Sequence, residues 1–265
     1  VEEANERVER LKKGCTLPMI TSCSPGWVNY CEHYYPEFVE NLSSCKSPQQ
    51  MFGALTKTWY AKRMGLDPKD IFVVGIMPCT AKKFEVARED EAAAGVPDVD
   101  VALTTRELAR MIDRAGINFA ELPDEEFDSP MGESTGAAAI FGATGGVMEA
   151  ALRTAASWLT GSDGAPVDFV EVRGVEGVKE ATYQVGDLTL NVAVASGLAN
   201  AKRLLDSVKS GEKTYHFIEI MGCPGGCVNG GGQPVQPARI RNWVDLKSLR
   251  AAARYQEDKD LPLRK

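Results

Sequence analysis

Apolar runs of strand length alternate with stretches of helical spacing through most of the chain. IFVVGIM (71–77) is a continuous apolar run, which predicts a strand buried on both faces. VDVALT (99–104) predicts a second strand. Thr104 and Thr105 stand where an N-cap belongs, ahead of the helical stretch RELARMIDRA. VEEANERVERLKK at the start, GGVMEAALRTAASWL (145–159), a segment over roughly 198–209 and VDLKSLRAAARYQ (244–256) read as helices. VDFVEVRG (167–174) and YHFIEIM (215–221) read as strands. ATYQVGDLTLNVAVAS carries a turn signal at Gly186-Asp187, then a buried strand. No internal repeat or low-complexity stretch interrupts the pattern.

Strands that alternate with helices imply βαβ units and parallel sheets. The predicted class is α/β, with two lobes. Each lobe holds a mostly parallel sheet flanked by helices, and the active site lies in the cleft between them. Lobe one spans roughly 20–115 and lobe two roughly 130–235, with the terminal helices packed outside. In open parallel sheets ligands sit beyond the carboxyl ends of the strands, so those ends are the places to search.

Composition narrows the function classes. At 265 residues and about 150 residues per domain, one or two domains are expected. A 44% apolar and 25% charged composition is that of an ordinary globular chain. Lys+Arg 30 against Asp+Glu 37 gives a net charge of -7, which argues against a nucleic-acid binder. No apolar stretch approaches the roughly 20 residues of a membrane helix. Seven cysteines are odd in number and too sparse for a disulfide scaffold. Thiols kept as ligands in a reducing, cytoplasmic compartment are the better reading. Val1 opens directly into a helix, with neither initiator Met nor signal peptide, and DLPLRK ends the chain without a cap. Both ends predict a piece of a longer protein.

Two predicted strands deliver a Met and then a Cys at their carboxyl ends: Met77-Pro78-Cys79 and Met221-Gly222-Cys223. Cys227 follows within GCPGGCVNGGGQP, where six of thirteen residues are Gly. Such a loop can wrap closely around a bulky object and aim N–H groups at it. TSCSPGW (21–27) adds Cys23 in a tight turn. Buried inert thiols explain single cysteines such as Cys15, Cys31 and Cys45, but not this spacing. Zinc sites favour close Cys pairs with histidines. The two histidines, His33 and His216, lie outside these loops, and His216 sits in an apolar run as a core residue would. Thiolates in glycine-rich loops suit an iron–sulfur cluster better. Lys82 and Glu85 follow Cys79 in PCTAKKFE. A cation there would stabilise an anionic metal ligand, whereas an ordinary surface lysine would lie solvated.

TSCSPGW (21–27), MPCTAKKFE (77–85) and MGCPGGCVNGGGQP (221–234), taken together, resemble the catalytic H-cluster domain of the [FeFe]-hydrogenases. The resemblance extends over KSPQQMFGAL (46–55), TTRELARMI (104–112) and MGESTGAAAIFGATGGVMEAALR (131–153). It implies a [4Fe–4S] cubane bridged by a cysteine sulfur to a two-iron subcluster with CO, cyanide and a bridging azadithiolate. On that basis Cys79, Cys223 and Cys227 bind the cubane, with Cys227 as the bridge. Lys82 donates to a cyanide, and Met77, Met221, Phe141, Ser47 and Gln49 line the two-iron site. Protons travel along Cys23, Glu3, Glu6 and Ser43. Glu3 and Glu6, at i and i+3 of the first helix, can face one channel.

The chain departs from the family pattern at Cys23-Ser24, where the family has two cysteines. By unbroken spacing Ser24 falls on the fourth cubane ligand and Cys23 on the proton relay. Either Ser24 ligates through oxygen, a rarer ligand for iron, or the loop shifts and Cys23 ligates, leaving the relay without its thiol. The implied activity is reversible oxidation of H2. The implied partners are H2 and protons, a ferredoxin or NAD(P)-linked diaphorase as electron partner, iron–sulfur domains outside this chain, and maturation proteins. A hydrogen-sensing or low-turnover homologue, and a plain zinc or iron–sulfur module, are the competing readings.

Overall fold

The computed structural model describes residues 1–14, 16–161, 168–174, 177–185 and 188–262. In chain order, helix α1 (Glu2–Lys13), strand β1 (Met19–Thr21) and helix α2 (Pro25–Tyr34) come first. Helix α3 (Pro48–Leu55), strands β2 (Val74–Met77) and β3 (Val101–Thr104) and helix α4 (Thr105–Arg114) follow. Then come α5 (Gly146–Thr160), β4 (Val178–Val185), β5 (Leu188–Ser196), α6 (Leu198–Lys209), β6 (Phe217–Met221) and α7 (Leu246–Asp260). The fold is mixed α/β, with parallel-dominated sheets flanked by helices. The chain divides into two compact units. The first comprises Val1–Cys45, Thr135–Asn229 and Arg239–Lys265, and the second Lys46–Ser134 and Gly230–Ala238. No helix among the described residues is long and apolar enough to cross a membrane.

The first unit is built on a four-stranded sheet of order β1-β6-β5-β4, parallel except for the β4–β5 pair. All five residues of β6 are buried. Alternation along the strands divides the core in two. On one face Met19, Phe217, Val192 and Val194 pack with Met148 and Leu152 of α5. On the other, Ile20, Ile218, Ile220 and Ala193 pack with Trp27 and Cys31 of α2 and Leu204 and Leu205 of α6. Met148, Leu152 and Ala156 recur at every fourth position of α5, which is why one stripe of that helix meets the sheet.

A buried charge network joins α7 to α5. Arg153 donates from both Nη atoms to the two Asp258 oxygens, each at 2.7 Å, and Nη2 also donates to Glu149 at 2.9 Å. Arg173 donates to both Glu149 oxygens at 2.8 and 2.6 Å, and its guanidinium lies 4.7 Å over the Tyr255 ring.

The second unit carries the parallel pair β2–β3, with Met77 opposite Thr104. Thr104 caps α4: its hydroxyl accepts from the Glu107 N–H while the Glu107 carboxylate accepts from the Thr104 N–H. Lys57, buried, donates to Asp100 and to the Pro97 carbonyl, both at 2.7 Å. Asp100 in turn accepts the Val73 N–H just before β2.

Two expectations are corrected. The run 71–77 pairs only over Val74–Met77 and is not buried on both faces, since Phe72, Val74 and Ile76 are exposed. Its sheet has two strands, and Gly75 packs on Gln49 on the opposite side. Within 167–174, where Val167 lies outside the described residues, the chain makes a 3₁₀ turn at Val170–Val172 instead of a strand. Phe169 and Val172 enter the same core, and residues three apart share a side in a helical turn but not in a strand. Residues 19–21, which the sequence did not show as a strand, pair with β6, and Met19 and Ile20 are buried on its two faces. The turn expected at Gly186-Asp187 and the thiol of Cys15 lie outside the described residues.

Asp258→Ala leaves Arg153 with half of its buried counter-charge. It is expected to destabilise the protein by about 3 kcal/mol, read as a lower Tm or urea midpoint. An unchanged midpoint would mean that α7 is held by other contacts.

Candidate functional site

In the second unit, β2 runs into Met77, Pro78 and Cys79. The tail of the glycine-rich loop belongs to this unit and lies on that strand end. The Gly232 N–H donates to the Pro78 carbonyl at 3.0 Å, and the Arg106 N–H donates to the Gly232 carbonyl at 3.3 Å. A Cβ on Gly232 would stand 2.6 Å from the Cys79 nitrogen and 2.7 Å from the Pro78 carbonyl carbon. Only glycine allows this approach.

Three residues after Cys79, a single helical turn (Lys82–Glu85) withdraws a charge pair from water. Lys82 is 2% exposed, and its Nζ donates to the two Glu85 oxygens at 2.8 and 2.9 Å. Ser47, the N-cap of α3, donates its hydroxyl to Glu85 at 2.9 Å, and Gln49 Nε2 donates to the same oxygen at 3.4 Å. Four residues expected to matter, Ser47, Gln49, Lys82 and Glu85, therefore form one network. Gln49 Oε1 and both amide atoms of the adjacent Gln50 are buried without a hydrogen-bond partner. A buried amide in that state is a place for a further polar group.

In the first unit, β6 runs into Met221, Gly222 and Cys223, and Cys227 follows after one turn. Cys23 Sγ lies 4.0 Å from the sulfur of buried Met221. Ser24 caps α2. Its Oγ accepts the Trp27 N–H at 3.4 Å, and its N–H donates to Ser22 Oγ at 3.0 Å. Ser24 Oγ also packs against Gly222, where a Cβ would strike it. The two adjacent side chains of this motif thus go separate ways, Cys23 to Met221 and Ser24 to the helix start beside Gly222. Phe141 and Glu3 share a cavity of about 360 Å³, otherwise lined mainly by small apolar residues such as Ala4, Ala138 and Ala151.

Glu3, Glu6 and Ser43 also gather in this unit. The Thr21 hydroxyl donates to Glu3. The Ser43 hydroxyl donates to Glu6 at 2.8 Å, and Arg10 donates to Glu6 at 2.6 Å and to the Leu42 carbonyl at 2.7 Å. Burial raises the Glu3 carboxyl above its ordinary range, with the Glu6 charge adding to it against the pull of Thr21 and Ser43. For Glu6, burial is outweighed by the Ser44 N–H, the Ser43 hydroxyl and Arg10, which hold its carboxyl below the ordinary range. The two carboxyls are thus shifted in opposite directions.

Cys45, read from sequence as inert, has its thiol 3.9 Å from Glu6. Burial, then the charges of Glu3, Glu6 and Glu2, pushes that thiol up to about 11, so it is protonated beside the Glu6 carboxylate. Cys31 is buried in the core, and its thiol is pushed up to about 11, first by burial. His216 is half-buried, with Nδ1 accepting the Asn191 N–H at 3.0 Å. Exposed His33 has Nδ1 2.8 Å from the Asn29 carbonyl. Cys23, Cys79, Cys223 and Cys227 are partly buried, and none forms a disulfide. Among the described residues of either unit, no three His, Cys, Asp or Glu side chains crowd closely enough to hold a single metal ion. Arg10 went unread in the sequence, although its place four residues after Glu6 was the available signal.

A family model described as the iron only hydrogenase large subunit, C-terminal domain, matches residues 1–231. The chain is 56% identical over 238 residues to the periplasmic [Fe] hydrogenase large subunit of Nitratidesulfovibrio vulgaris, covering 89% of this chain and 56% of that one. It is 33% identical over 243 residues to a cytosolic Fe-S cluster assembly factor, narfl, of Xenopus tropicalis, covering 88% of this chain and 51% of that one. It thus spans about half the length of these curated relatives. Among solved structures, the [FeFe]-hydrogenase HydA(deltaEFG) superposes with a TM-score of 0.81 at 39% identity, covering 98% of this chain and 72% of that one.

The two carboxyls make opposite contributions to pH dependence. Glu3, raised in the folded state, costs stability as pH rises from the ordinary carboxyl range through its folded value. Glu6, depressed, contributes stability above that ordinary range, and this is lost as pH falls through its folded value. Urea unfolding across pH should therefore show Glu3→Gln more stable than the parent at neutral pH and Glu6→Gln less stable. Both differences should shrink in acid. Parallel curves for the three proteins would contradict this assignment.

Proposed function

Because the chain belongs to the C-terminal domain family of the iron-only hydrogenase large subunits, we propose that it is the catalytic part of an [FeFe]-hydrogenase. The reaction is H2 in equilibrium with two protons and two electrons. The observation that carries this reading is the buried Lys82–Glu85 pair, which follows Cys79 by three residues in the chain. A purely structural cluster module, or an assembly factor that only binds iron and sulfide, has no use for an ammonium held out of water there. Desolvating a charge pair is costly, and a charge aimed at an anionic ligand is a physical reason to retain one.

The residues fit the group. Three thiols lie in loops that glycine lets pack closely. The unpartnered Oε1 of Gln49 and the unpartnered amide atoms of Gln50 lie in the same unit as Cys79 and Lys82. In this reading Cys79, Cys223 and Cys227 would hold a [4Fe–4S] cubane, and Cys227 would also be needed to retain the two-iron unit. Met77, Met221, Phe141, Ser47 and Gln49 would line that unit, and Lys82 would donate to a cyanide on it. When bound, the two-iron unit with its azadithiolate amine supplies the heterolytic cleavage of H2. The protein's part is to exclude water, orient donors and move protons. Cys23 takes up or returns a proton beside Met221. Glu3, Ser43 and Glu6 carry it outward, with Arg10 fixing Glu6. A ferredoxin or an NAD(P)-linked partner, with iron–sulfur domains outside this chain, would be the electron partner. Maturation proteins supply the two-iron unit. The cytoplasm is the compartment we infer from thiol use.

One observation favours a second reading, a hydrogen sensor or low-turnover homologue. Ser24, at the position where the resemblance expects the fourth cubane thiolate, has its oxygen occupied as a helix cap. In the arrangement we propose, the loop is unshifted and Cys23 keeps its relay place. The cubane then lacks a fourth thiolate.

Anaerobic loading with iron and sulfide, then with the two-iron unit, tests these readings. Infrared bands of metal-bound CO and cyanide, with H2 turnover under a strong reductant, are expected. Bands without turnover would support the second reading. A cubane without bands would contradict both. Cys227→Ala should abolish retention of the two-iron unit, and Lys82→Ala should weaken it. Ser24→Cys should slow loss of the cubane to a chelator. Unchanged loss would contradict the unshifted loop.

A further inference from the structure

Glu219 is fully buried on β6, on the sheet face where Met19, Phe217 and Met148 pack. An apolar side chain of similar volume would cost less there. Its carboxylate instead accepts the Gly145 N–H on Oε1 at 2.7 Å and the Met148 N–H on Oε2 at 2.6 Å. These are amides at the start of α5. Gly145, the N-cap position of that helix, has φ +92° and no side chain to cap with. Glu219 therefore supplies from another element the cap that the helix lacks.

The residue before Gly145 reaches the cysteine turn. The Thr144 N–H donates to the Gly225 carbonyl at 3.2 Å. Thr144 Oγ1 lies 3.4 Å from Ser196 Oγ, which accepts the Gly225 N–H at 2.8 Å. Gly225, midway between Cys223 and Cys227, thus has both backbone groups held. The Gly197 N–H donates to the Met221 carbonyl at 2.7 Å, which fixes the strand end as well. The constraints close into a ring: Glu219 to Gly145, Thr144 to Gly225, and back through Cys223 and Met221 along β6.

We propose that Glu219 is a positioning residue for the Cys223–Cys227 turn, its carboxylate strapping the start of α5 to β6 so that Thr144 and Ser196 fix the turn between the two thiols. The proposal rests on the reading of those thiols as cubane ligands. Nothing in it requires Glu219 to touch the cluster or to carry protons. Burial pushes the Glu219 carboxyl up to about 7, against the pull of the two amides, so the strap is tested at about pH 8, where the carboxylate form prevails.

The test has two arms. Without iron, hydrogen exchange is measured in the parent, Glu219→Gln and Ser196→Ala. Glu219→Gln turns an NH2 group toward one of the two N–H donors. Exchange at Gly145, Met148 and Gly225 should become about ten- to a hundredfold faster. Ser196→Ala should act in the same direction, confined to Gly225. After loading with ferrous iron and sulfide, the cubane EPR signal and midpoint potential should shift in both variants. A strap that is merely structural would leave potential and signal unmoved, and that result overturns the proposal, as does unchanged exchange. If Glu219→Gln fails to fold, an unshifted potential in Ser196→Ala overturns it alone. If the parent takes up no cubane, the ligand reading fails instead, and the exchange arm still decides whether the strap exists.

Discussion

Backbone packed too closely for any side chain is the constraint on which the proposed centre depends. Gly232 lies against the nitrogen of Cys79, and Gly222 against the hydroxyl of Ser24. At the first point a cysteine-bearing segment meets backbone directly, and at the second it meets the side chain that caps α2. The thiol-bearing turns are held by close backbone packing and main-chain hydrogen bonds, with the buried Ser196 hydroxyl accepting the Gly225 N–H. A cluster ligand has to be placed to within a fraction of a bond length, and packing of this kind can do it.

Buried charge is the second theme. Lys82 with Glu85, Arg153 with Asp258 and Glu149, and Glu219 with the amides of α5 are each withdrawn from water and each answered by opposite charge or N–H donors. They differ in what they hold. The Arg153 network ties one helix to another. The Lys82 pair stands three residues from a thiol. Glu219 holds the segment that meets the turn between two thiols. Ionic groups so enclosed contribute little net stability compared with apolar packing, so their value lies in fixing one arrangement.

Much of this was legible in the sequence, where local chemistry and periodicity agreed. Thr104 with Glu107 announced a capped helix, and the apolar run ending at Met221 announced a buried strand with a thiol beyond it. The three cysteine motifs were enough to identify the family. What was hidden required tertiary partners. The strand at 19–21 is too short for periodicity to reveal. Residues 169–172 have a strand-like composition but must turn to place Phe169 and Val172 in one core. Cys45 looked inert because nothing local shows that Glu6 lies against it. Glu219 passed as part of an apolar run, although a carboxylate within FIEIM was itself the signal that a buried donor must face it.

The most direct measurement is a crystal structure of the iron-loaded protein, with anomalous diffraction recorded at the iron edge. The account predicts one four-iron cluster bonded by the thiolates of Cys79, Cys223 and Cys227 together. A structure in which Cys79 shares no cluster with Cys223 and Cys227 would contradict it.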